Sequence, residues 1–450
     1  MGLSVINVAV CMTKFFFEEL FFAIILGFNF FLCLVFIYRD LISKKTSYFV
    51  SYVFFAMSIS YVISPFFVYY FDFGLNSYHV EFDGLKAAML HANVVVFLFL
   101  IGALVGFYFP HREYSLDFRF HRNKKKFIVA IFAIVCFSFW LFLVSYGGLE
   151  YVINNISRIR SGTDDNKNYF GAFARLFTCY IEFLVLFFYV RFFNNKGLVN
   201  LLVFLVVFSL GLMKLLLDGG RGGLINLFVG ILFVSIYMNK GRLPVIYMAS
   251  VFFLSLAVGI YGKVYLFQIF GGVDLVPPEI TVYEKFEKIL QEYSHQYYSL
   301  VVAIKQDLGG VRYFEDLYVW LLKPLKLFGV DVPDSISYYN TYKITGVWDS
   351  EVPPGVLAFS YYQGGVFFVA VAGVFFGFLI KNFNSIAVNT IKSECDTDLT
   401  YPMLAIISIY LPFAFLNSDP ALFIQWIFAY LLLFGFMVLT RNIKFRKFDR

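Results

Sequence analysis

The feature that most constrains the fold is the recurrence of long apolar runs. Runs of about 20 predominantly apolar residues, the length that an α-helix needs to cross the hydrocarbon core of a bilayer, follow one another along most of the chain. Hydrophobic residues make up 60% of the 450 residues, and charged residues only 15%. Because soluble domains do not reach this composition, the sequence predicts an all-α, polytopic membrane protein.

Eleven runs are long enough to span, and short polar joints separate most of them. The predicted spans are Phe15–Tyr38, Tyr48–Phe71, Met89–Phe109, Phe127–Tyr146, Tyr169–Phe193, Leu198–Leu217, Gly222–Met238, Pro244–Tyr265, Gly355–Ile380, Thr400–Leu416 and Ala421–Leu439. The predicted organisation is therefore residues 1–265 with eight spans, one large polar segment over 266–354, and residues 355–450 with three spans and a basic tail.

Lysine and arginine collect in alternate joints and in the tail, which is the pattern of cytoplasmic loops. The basic residues on this side are Arg39, Lys44, Lys45, Arg112, Arg119, Arg122, Lys124, Lys125, Lys126, Arg191, Lys196, Lys240, Arg242, Lys381, Lys392, Arg441, Lys444, Arg446, Lys447 and Arg450. The large segment then lies on the opposite, external face. The net charge of +6 follows from this topology, and nothing in it indicates a nucleic-acid partner.

The large segment has helical periodicity of its own. Apolar residues recur at helical spacing over Val282–Ile304, and a second short helix is predicted over Glu315–Leu327. The first of these helices carries His295, whose ordinary pKa suits a general base near neutral pH. Glu292 and Glu287 lie near the same face and are rival bases. A segment with its own helices favours a lid or binding surface, although a plain cap over the bundle is an alternative.

Arg221 is flanked by two glycines on each side, between two apolar runs. Glycines allow close approach of the backbone to a ligand, and the free N–H groups at the start of the next helix point to the same place as the guanidinium. Arginine binds phosphate with two parallel hydrogen bonds. The pattern predicts a phosphate or pyrophosphate site, and the alternative is a glycine-rich hairpin with a solvated arginine.

Three more arginines fall on the external side. Arg158 and Arg160 lie in the joint after the fourth span, where clustered arginine calls for an anionic partner, either a ligand or the nearby Asp164 and Asp165. Arg175 is placed inside the fifth span, where an ionisable residue requires an interior location or a partner. Glu182, on the same helical face, is a candidate partner.

The order of these motifs resembles that of the O-antigen polymerases (Wzy-type oligosaccharide repeat-unit polymerases). The resemblance runs from the fourth span to the end of the ninth. It rests on Tyr146–Tyr151 followed by the two arginines, the glycine-flanked Arg221, the large segment with Lys323-Pro324, and the runs Asp331–Pro333, Val352–Gly355 and Tyr361–Gly365. Lys323 stands where the family pattern has arginine.

The resemblance implies a multi-pass protein of the bacterial inner membrane, with the large segment in the periplasm. The substrates would be oligosaccharides on undecaprenyl pyrophosphate, and the reaction would move the growing chain onto an incoming unit without a metal or other cofactor. A chain-length regulator is a candidate further partner.

Residue roles follow from this chemistry. Arg221, Arg158, Arg160, Arg175 and Lys323 would bind the pyrophosphate, and His295 or Glu292 would take the proton of the acceptor hydroxyl. Tyr297 and Tyr298 would stack on sugar rings.

Other function classes remain open at this level. An O-antigen ligase, or another transferase of undecaprenyl-linked glycans, would share the arginines and the large segment. A transporter or flippase would be expected to show internal repeats and interrupted helices, and no paired Gly or Pro interruptions are evident in the sequence. A structural assembly protein is disfavoured by the arginines.

Overall fold

The computed structural model describes most of the chain. The described residues are 2–42, 47–71, 84–110, 114–118, 124–161, 169–217, 221–242, 249–250, 253–254, 281–305, 312–322, 325, 330–346, 352–393, 395–416, 419–440 and 442–447, some of them as backbone only. The helices are α1 Gly2–Ile42, α2 Phe49–Ser58, α3 Ser64–Phe71, α4 Leu85–Phe107, α5 Lys124–Ser145, α6 Leu149–Ser161, α7 Tyr169–Phe177, α8 Tyr180–Asn194, α9 Leu198–Leu217, α10 Arg221–Met238, α11 Val282–Lys305, α12 Glu315–Leu322, α13 Ile336–Thr345, α14 Gly355–Lys392, α15 Thr397–Leu416 and α16 Pro420–Leu439.

The multi-pass membrane class is confirmed by long apolar helices. In the described part of the chain, seven stretches are long and apolar enough to cross a bilayer. They are Phe17–Ile42, Phe49–Phe71, Leu85–Phe107, Lys124–Ser145, Phe173–Asn194, Leu198–Leu215 and Gly355–Lys392. Helices also cover the predicted seventh, tenth and eleventh spans, as α10, α15 and α16. The predicted eighth span, 244–265, lies almost entirely outside the described residues.

Several predicted joints meet at one end of the bundle, here called the basic end, where α5 and α15 begin and α8 ends. Lys124, the first residue of α5, forms ion pairs of 2.8 Å with Asp396 and 2.7 Å with Asp398, at the start of α15. Asn194, the last residue of α8, donates a hydrogen bond of 3.0 Å from Nδ2 to Oδ1 of Asp398. These contacts agree with the prediction that the joints before α5, before α15 and after α8 lie on the same side of the membrane.

The purely α-helical prediction misses a small sheet at this end. Strand β1, Tyr114–Phe118, pairs in antiparallel fashion with β2, Ile443–Lys447, in the basic tail. The backbone N–H of Leu116 donates a hydrogen bond of 2.9 Å to Oγ1 of Thr390 near the end of α14. The prediction assigned the tail only as a basic cytoplasmic segment, whereas five consecutive tail residues pair with a joint more than 300 positions earlier.

The opposite end, here called the loop end, is where α4 and α14 begin and where α11 packs. The helix α11 contacts α3, α4, α13 and α14. The first residue of α14, Gly355, has a φ of +78°, and a Cβ atom there would lie 2.8 Å from Oη of Tyr61 and 3.1 Å from the side chain of Gln296. A glycine is therefore required where α14 begins against α11.

The helices α4 and α14 pack in parallel through two facing glycine pairs. Gly102 and Gly106 on α4 oppose Gly373 and Gly377 on α14. A Cβ atom on Gly377 would collide with the carbonyl oxygen of Ala103, and one on Gly373 with that of Phe99. This is the close backbone approach that small residues spaced four apart allow between membrane helices.

The second span contains a widened turn. Between α2 and α3, residues Ile59–Ile63 form a π-helix, directly before Pro65. Proline has no N–H to continue the helical hydrogen bonds, and such a wide turn accommodates the loss. Oγ of Ser64 donates a hydrogen bond of 2.8 Å to the carbonyl of Ile59, which satisfies one backbone acceptor there.

Candidate functional site

The helix α11 is held at the loop end by a buried polar contact. Oη of Tyr297 donates a hydrogen bond of 3.0 Å to the carbonyl of Met89, and Nδ2 of Asn93 donates one of 2.9 Å to that hydroxyl. Nδ2 of Asn29 donates a bond of 3.1 Å to the carbonyl of Asn93, which extends the contact to α1. The large segment is thus an integral part of the bundle at this end.

The predicted sugar-stacking residues are placed in this packing core. Tyr297 and Tyr298 are fully buried, so neither ring has an exposed face on which a sugar could stack. Burial also raises the pKa of the Tyr297 hydroxyl well above its usual range, which keeps the hydroxyl protonated and able to donate to Met89. The sequence could not distinguish these tyrosines from exposed ones, because tyrosine is abundant throughout this chain.

The candidate base His295 lies on the same helix and is partly exposed. Its backbone carbonyl accepts a hydrogen bond of 2.7 Å from Oγ of Ser299. The rival Glu287 is also partly exposed on α11. The side chain of Glu292 lies outside the described residues. The exposure of His295 on a helix otherwise packed against spans is compatible with a role at a surface of the bundle.

The predicted arginines occupy a different set of helices. Arg158 and Arg160 lie on α6, which packs against α5 and α9. Arg221 is the first residue of α10, and α9 ends shortly before it at Leu217. Only the backbone is described at these three arginines. Lys323 lies outside the described residues. The backbone arrangement brings the helix with Arg158 and Arg160 against the helix that leads to Arg221.

Arg175 lies in the last turn of α7 and is partly buried. The helix α7 packs between α5 and α16. Glu182, in the next helix, is buried and accepts a hydrogen bond of 2.9 Å from Oη of Tyr410. Glu182, the predicted partner of Arg175, is therefore hydrogen-bonded to Tyr410 on α15.

The fifth span contains a tightened turn between α7 and α8, within one continuous apolar stretch. Cys179 keeps helical backbone angles there, and the N–H groups of Ile181 and Glu182 donate to the carbonyls three residues before them, as in a 3₁₀ turn. Two tyrosines supply contacts across the α8–α16 packing: Tyr430 donates a bond of 2.7 Å to the carbonyl of Cys179, and Tyr180 one of 2.5 Å to that of Ala429. Neither Gly nor Pro marks this tightened turn, which is why no local pattern predicted it.

The helix α14 is broken at Gly364 and Gly365, whose backbone angles are not helical. Gly365 has a φ of +64°, which favours glycine, and the helix changes direction there. This pair belongs to the Tyr361–Gly365 run that carries part of the family resemblance. The sequence therefore marked the position, but not that the glycines break the helix.

A buried polar cluster joins this break to the large segment; we call Arg312, Asp316 and Gln363 the Asp316 cluster. Arg312 donates from Nε and Nη2 to the Asp316 carboxylate at 3.0 and 3.1 Å. Nε2 of Gln363, next to the break, donates to the same carboxylate at 2.6 Å. The backbone N–H of Ile336, at the start of α13, is a further donor at 2.8 Å.

The side-chain oxygen of Gln363 is hydrogen-bonded as well: Oε1 accepts a bond of 2.7 Å from the backbone N–H of Phe314. Asp316 is 1% exposed, and the Arg312 side chain is 13% exposed. One carboxylate thus fixes three segments of chain: the approach to α12, the start of α13 and the break in α14. Sequence reasoning missed this cluster, although an Arg and an Asp at helical i, i+4 spacing and a glutamine in an apolar run were visible signals.

Comparison of the chain with protein-family models, curated proteins and solved structures gives no match.

Proposed function

We propose that this protein is a metal-independent glycosyltransferase that polymerises undecaprenyl-pyrophosphate-linked oligosaccharide units at the loop end, on the periplasmic face of a bacterial inner membrane. The observation that carries the proposal is the packing of α6, with Arg158 and Arg160, against α9, which leads directly to Arg221 at the start of α10. Arginine side chains and a helix N-terminus at one end of an apolar bundle suit a lipid-linked diphosphate.

In the proposed reaction, the bond between the sugar anomeric carbon of the growing chain and its pyrophosphate oxygen breaks. A hydroxyl of the incoming unit forms the new glycosidic bond and gives its proton to a base on α11, for which His295 is the first candidate and Glu292 the second. The arginines stabilise the charge that develops on the departing undecaprenyl pyrophosphate. Arg175 and Lys323 are secondary candidates for this anion site.

The proposal predicts that Arg221→Ala abolishes polymerisation. Removal of one preorganised donor to a developing anion typically lowers the rate by about 10²–10³. The measurement is the banding of lipopolysaccharide in cells that express the variant at the normal level. Arg242→Ala is the matched control, because Arg242 is an exposed arginine just beyond the other end of α10. A normal ladder from Arg221→Ala would remove the central residue of the proposal.

The pattern of loss distinguishes the neighbouring functions. Loss of polymerisation leaves a single repeat unit on the lipid acceptor, whereas loss of ligation leaves none. Loss of transport would leave lipid-linked units on the cytoplasmic side.

Arg158→Lys tests geometry within the same assay, because lysine keeps the charge but loses the paired hydrogen bonds of the guanidinium. We expect it to lose activity as well.

A further inference from the structure

The short helix α12 presents an apolar face that the fold leaves uncovered. Its buried side carries Asp316 and Val319, each 1% exposed. The exposed side, together with the turn before it, is formed by residues at helical i, i+3 and i+4 spacing, namely Phe314, Leu317, Tyr318 and Leu321. Tyr318 and Leu321 are 59% and 64% exposed. A helix of this kind is amphipathic, but the side that faces outward is the apolar one.

The helix lies between two spans at the loop end. The residues just before α12 are hydrogen-bonded to α14: the backbone N–H of Arg312 donates a bond of 3.0 Å to the carbonyl of Tyr362. The ring of Phe314 packs edge to face against that of Phe368, with the centroids 5.1 Å apart. The body of α12 packs against α16. It therefore lies between two spans, instead of extending away from the bundle.

The apolar face of α12 is continuous with the outer surface of α14. Directly after the break in α14, Phe367, Val371 and Phe375 are exposed, at 72%, 46% and 59%. These residues belong to a stretch that is long and apolar enough to span, so their exposed side chains face lipid. Since Phe314 contacts Phe368 on the same stretch of α14, α12 lies at the level where this lipid-facing surface begins.

We propose that α12 is an interfacial helix, which lies in the plane of the membrane with its apolar face in the headgroup–acyl boundary of the leaflet at the loop end. Interfacial helices bury an apolar face rich in Leu and aromatic residues to this depth. Tyrosine suits the position, because its ring enters the apolar layer while its hydroxyl stays at the headgroups. The proposal needs only the membrane class of the protein and is independent of the proposed chemistry.

The Asp316 cluster sets the rotation of this helix about its own axis. Asp316 is held from one side by Arg312 and Gln363, and this buried contact turns the opposite face, with Tyr318 and Leu321, outward. The break at Gly364 and Gly365 brings Gln363 to the cluster. The polar contacts thus anchor the helix to the protein, while its free apolar face contacts lipid.

The test is the depth of single fluorescent labels in the full-length protein, purified alone and placed in nanodiscs. In a background with the native cysteines replaced by alanine, Tyr318→Cys and Leu321→Cys are labelled, and quenching by lipids with brominated acyl chains is compared with quenching by aqueous iodide. Phe375→Cys is the matched lipid-facing control. Asp331→Cys is the water-facing control, on an exposed residue of the large segment.

We expect both α12 labels to lose fluorescence with brominated lipid to nearly the same extent as the label at position 375, and to resist iodide. The label at position 331 should show the reverse. If the α12 labels behave like the label at 331, the helix faces water and the proposal is overturned. If Leu321→Cys forms a disulfide between two copies, and lipid quenching is absent in discs that hold two copies, the face is a dimer contact and the proposal is again overturned.

Both substituted side chains are exposed, so the variants should fold, and Leu317→Cys offers a third position on the same face.

Discussion

At the scale of single residues, the clearest determinant of structure is the buried carboxylate of Asp316. A charge out of water is stable only when its partners satisfy it, and Asp316 receives hydrogen bonds from Arg312, Gln363 and the backbone of Ile336. Removal of the carboxylate would leave the largely buried guanidinium of Arg312 without its main partner. The neighbouring acid, Glu315, is 53% exposed and lies 3.5 Å from the same guanidinium.

These two acids give a paired prediction. Asp316→Ala should lower the free energy of unfolding by about 3–5 kcal/mol, as expected when one member of a buried ion pair is removed. Glu315→Ala should lower it by no more than about 1 kcal/mol, because an exposed pair contributes little. The measurement is the Tm of the two variants in the same detergent. Equal shifts in Tm would mean that the Asp316 cluster does not anchor α12.

Residue roles were harder to predict from the sequence than residue positions. His295 was placed correctly on a helix and is partly exposed. Tyr297 and Tyr298, two and three positions on, are buried in the core. Residues 296–303 are all buried, so the change from exposed to buried occurs along the axis of α11 and depends on where the helix enters its contacts with α4 and α14. The function of His295 as a base stays a prediction.

At the scale of elements, the main determinant is the close packing of α4 against α14. Its glycines lie so near the partner backbone that a single methyl group would displace it: a Cβ atom on Gly106 would meet the carbonyl of Val374. Without a hydrophobic driving force between helices in lipid, such close packing is a main source of association. The contact also holds the part of α14 that follows the break at Gly364 and Gly365, next to Gln363.

We therefore predict that Gly106→Ala lowers the free energy of unfolding by about 1–3 kcal/mol, the usual effect of overpacking a filled interface. Gly27→Ala is the matched control, since Gly27 lies in the interior of α1 and a methyl group added there would have no atom within 4 Å. There the change should be neutral or slightly favourable, because alanine is the better helix former. Both are measured as shifts in Tm, and a similar loss at both positions would contradict the role given to the α4–α14 contact.

Elements with a strong local signal were predicted, and elements defined by long-range contacts were not. Apolar length predicted the spans, and the periodicity of 282–304 predicted α11 almost to the residue. The tightened turn between α7 and α8 has no local signal, and the hydrogen bonds of Tyr430 and Tyr180 join it to a helix more than 200 positions later. The pairing of β1 with the tail was missed for the same reason.

At the scale of the whole molecule, the candidate groups fall in two regions of the bundle. The arginine-bearing helices α6 and α10 pack with α5, α8, α9 and α15, whereas α11, with His295, packs with α3, α4, α13 and α14. The helix α12 connects α14 to α16, which in turn contacts α7 with Arg175. In the proposed reaction the base and the arginines act on opposite sides of one anomeric carbon, so the proposal requires the loop ends of these two regions to face one common site.

The path of the chain between these regions gives the last prediction. The end of α10 lies at the basic end, where the ring of Tyr237 packs 6.0 Å from that of Tyr401 near the start of α15. The helix α11 is bonded through Tyr297 to Met89 at the loop end. The end of α10 and the helix α11 therefore lie at opposite ends of the bundle. The chain between them must cross the bundle from the basic end to the loop end. The tail strand β2, paired with β1, is at the basic end.

Reporter fusions after Arg242, Asp334 and Arg450 test this path. Alkaline phosphatase is active only outside the cytoplasm, and green fluorescent protein fluoresces in this assay only inside it. We expect the fusions at 242 and 450 to fluoresce and the fusion at 334 to give phosphatase activity, because lysine and arginine concentrate at the basic end and retain it in the cytoplasm. The same compartment for 242 and 334 would exclude a crossing between them. If both fusions fluoresce, the large segment lies in the cytoplasm and the proposed periplasmic reaction is excluded.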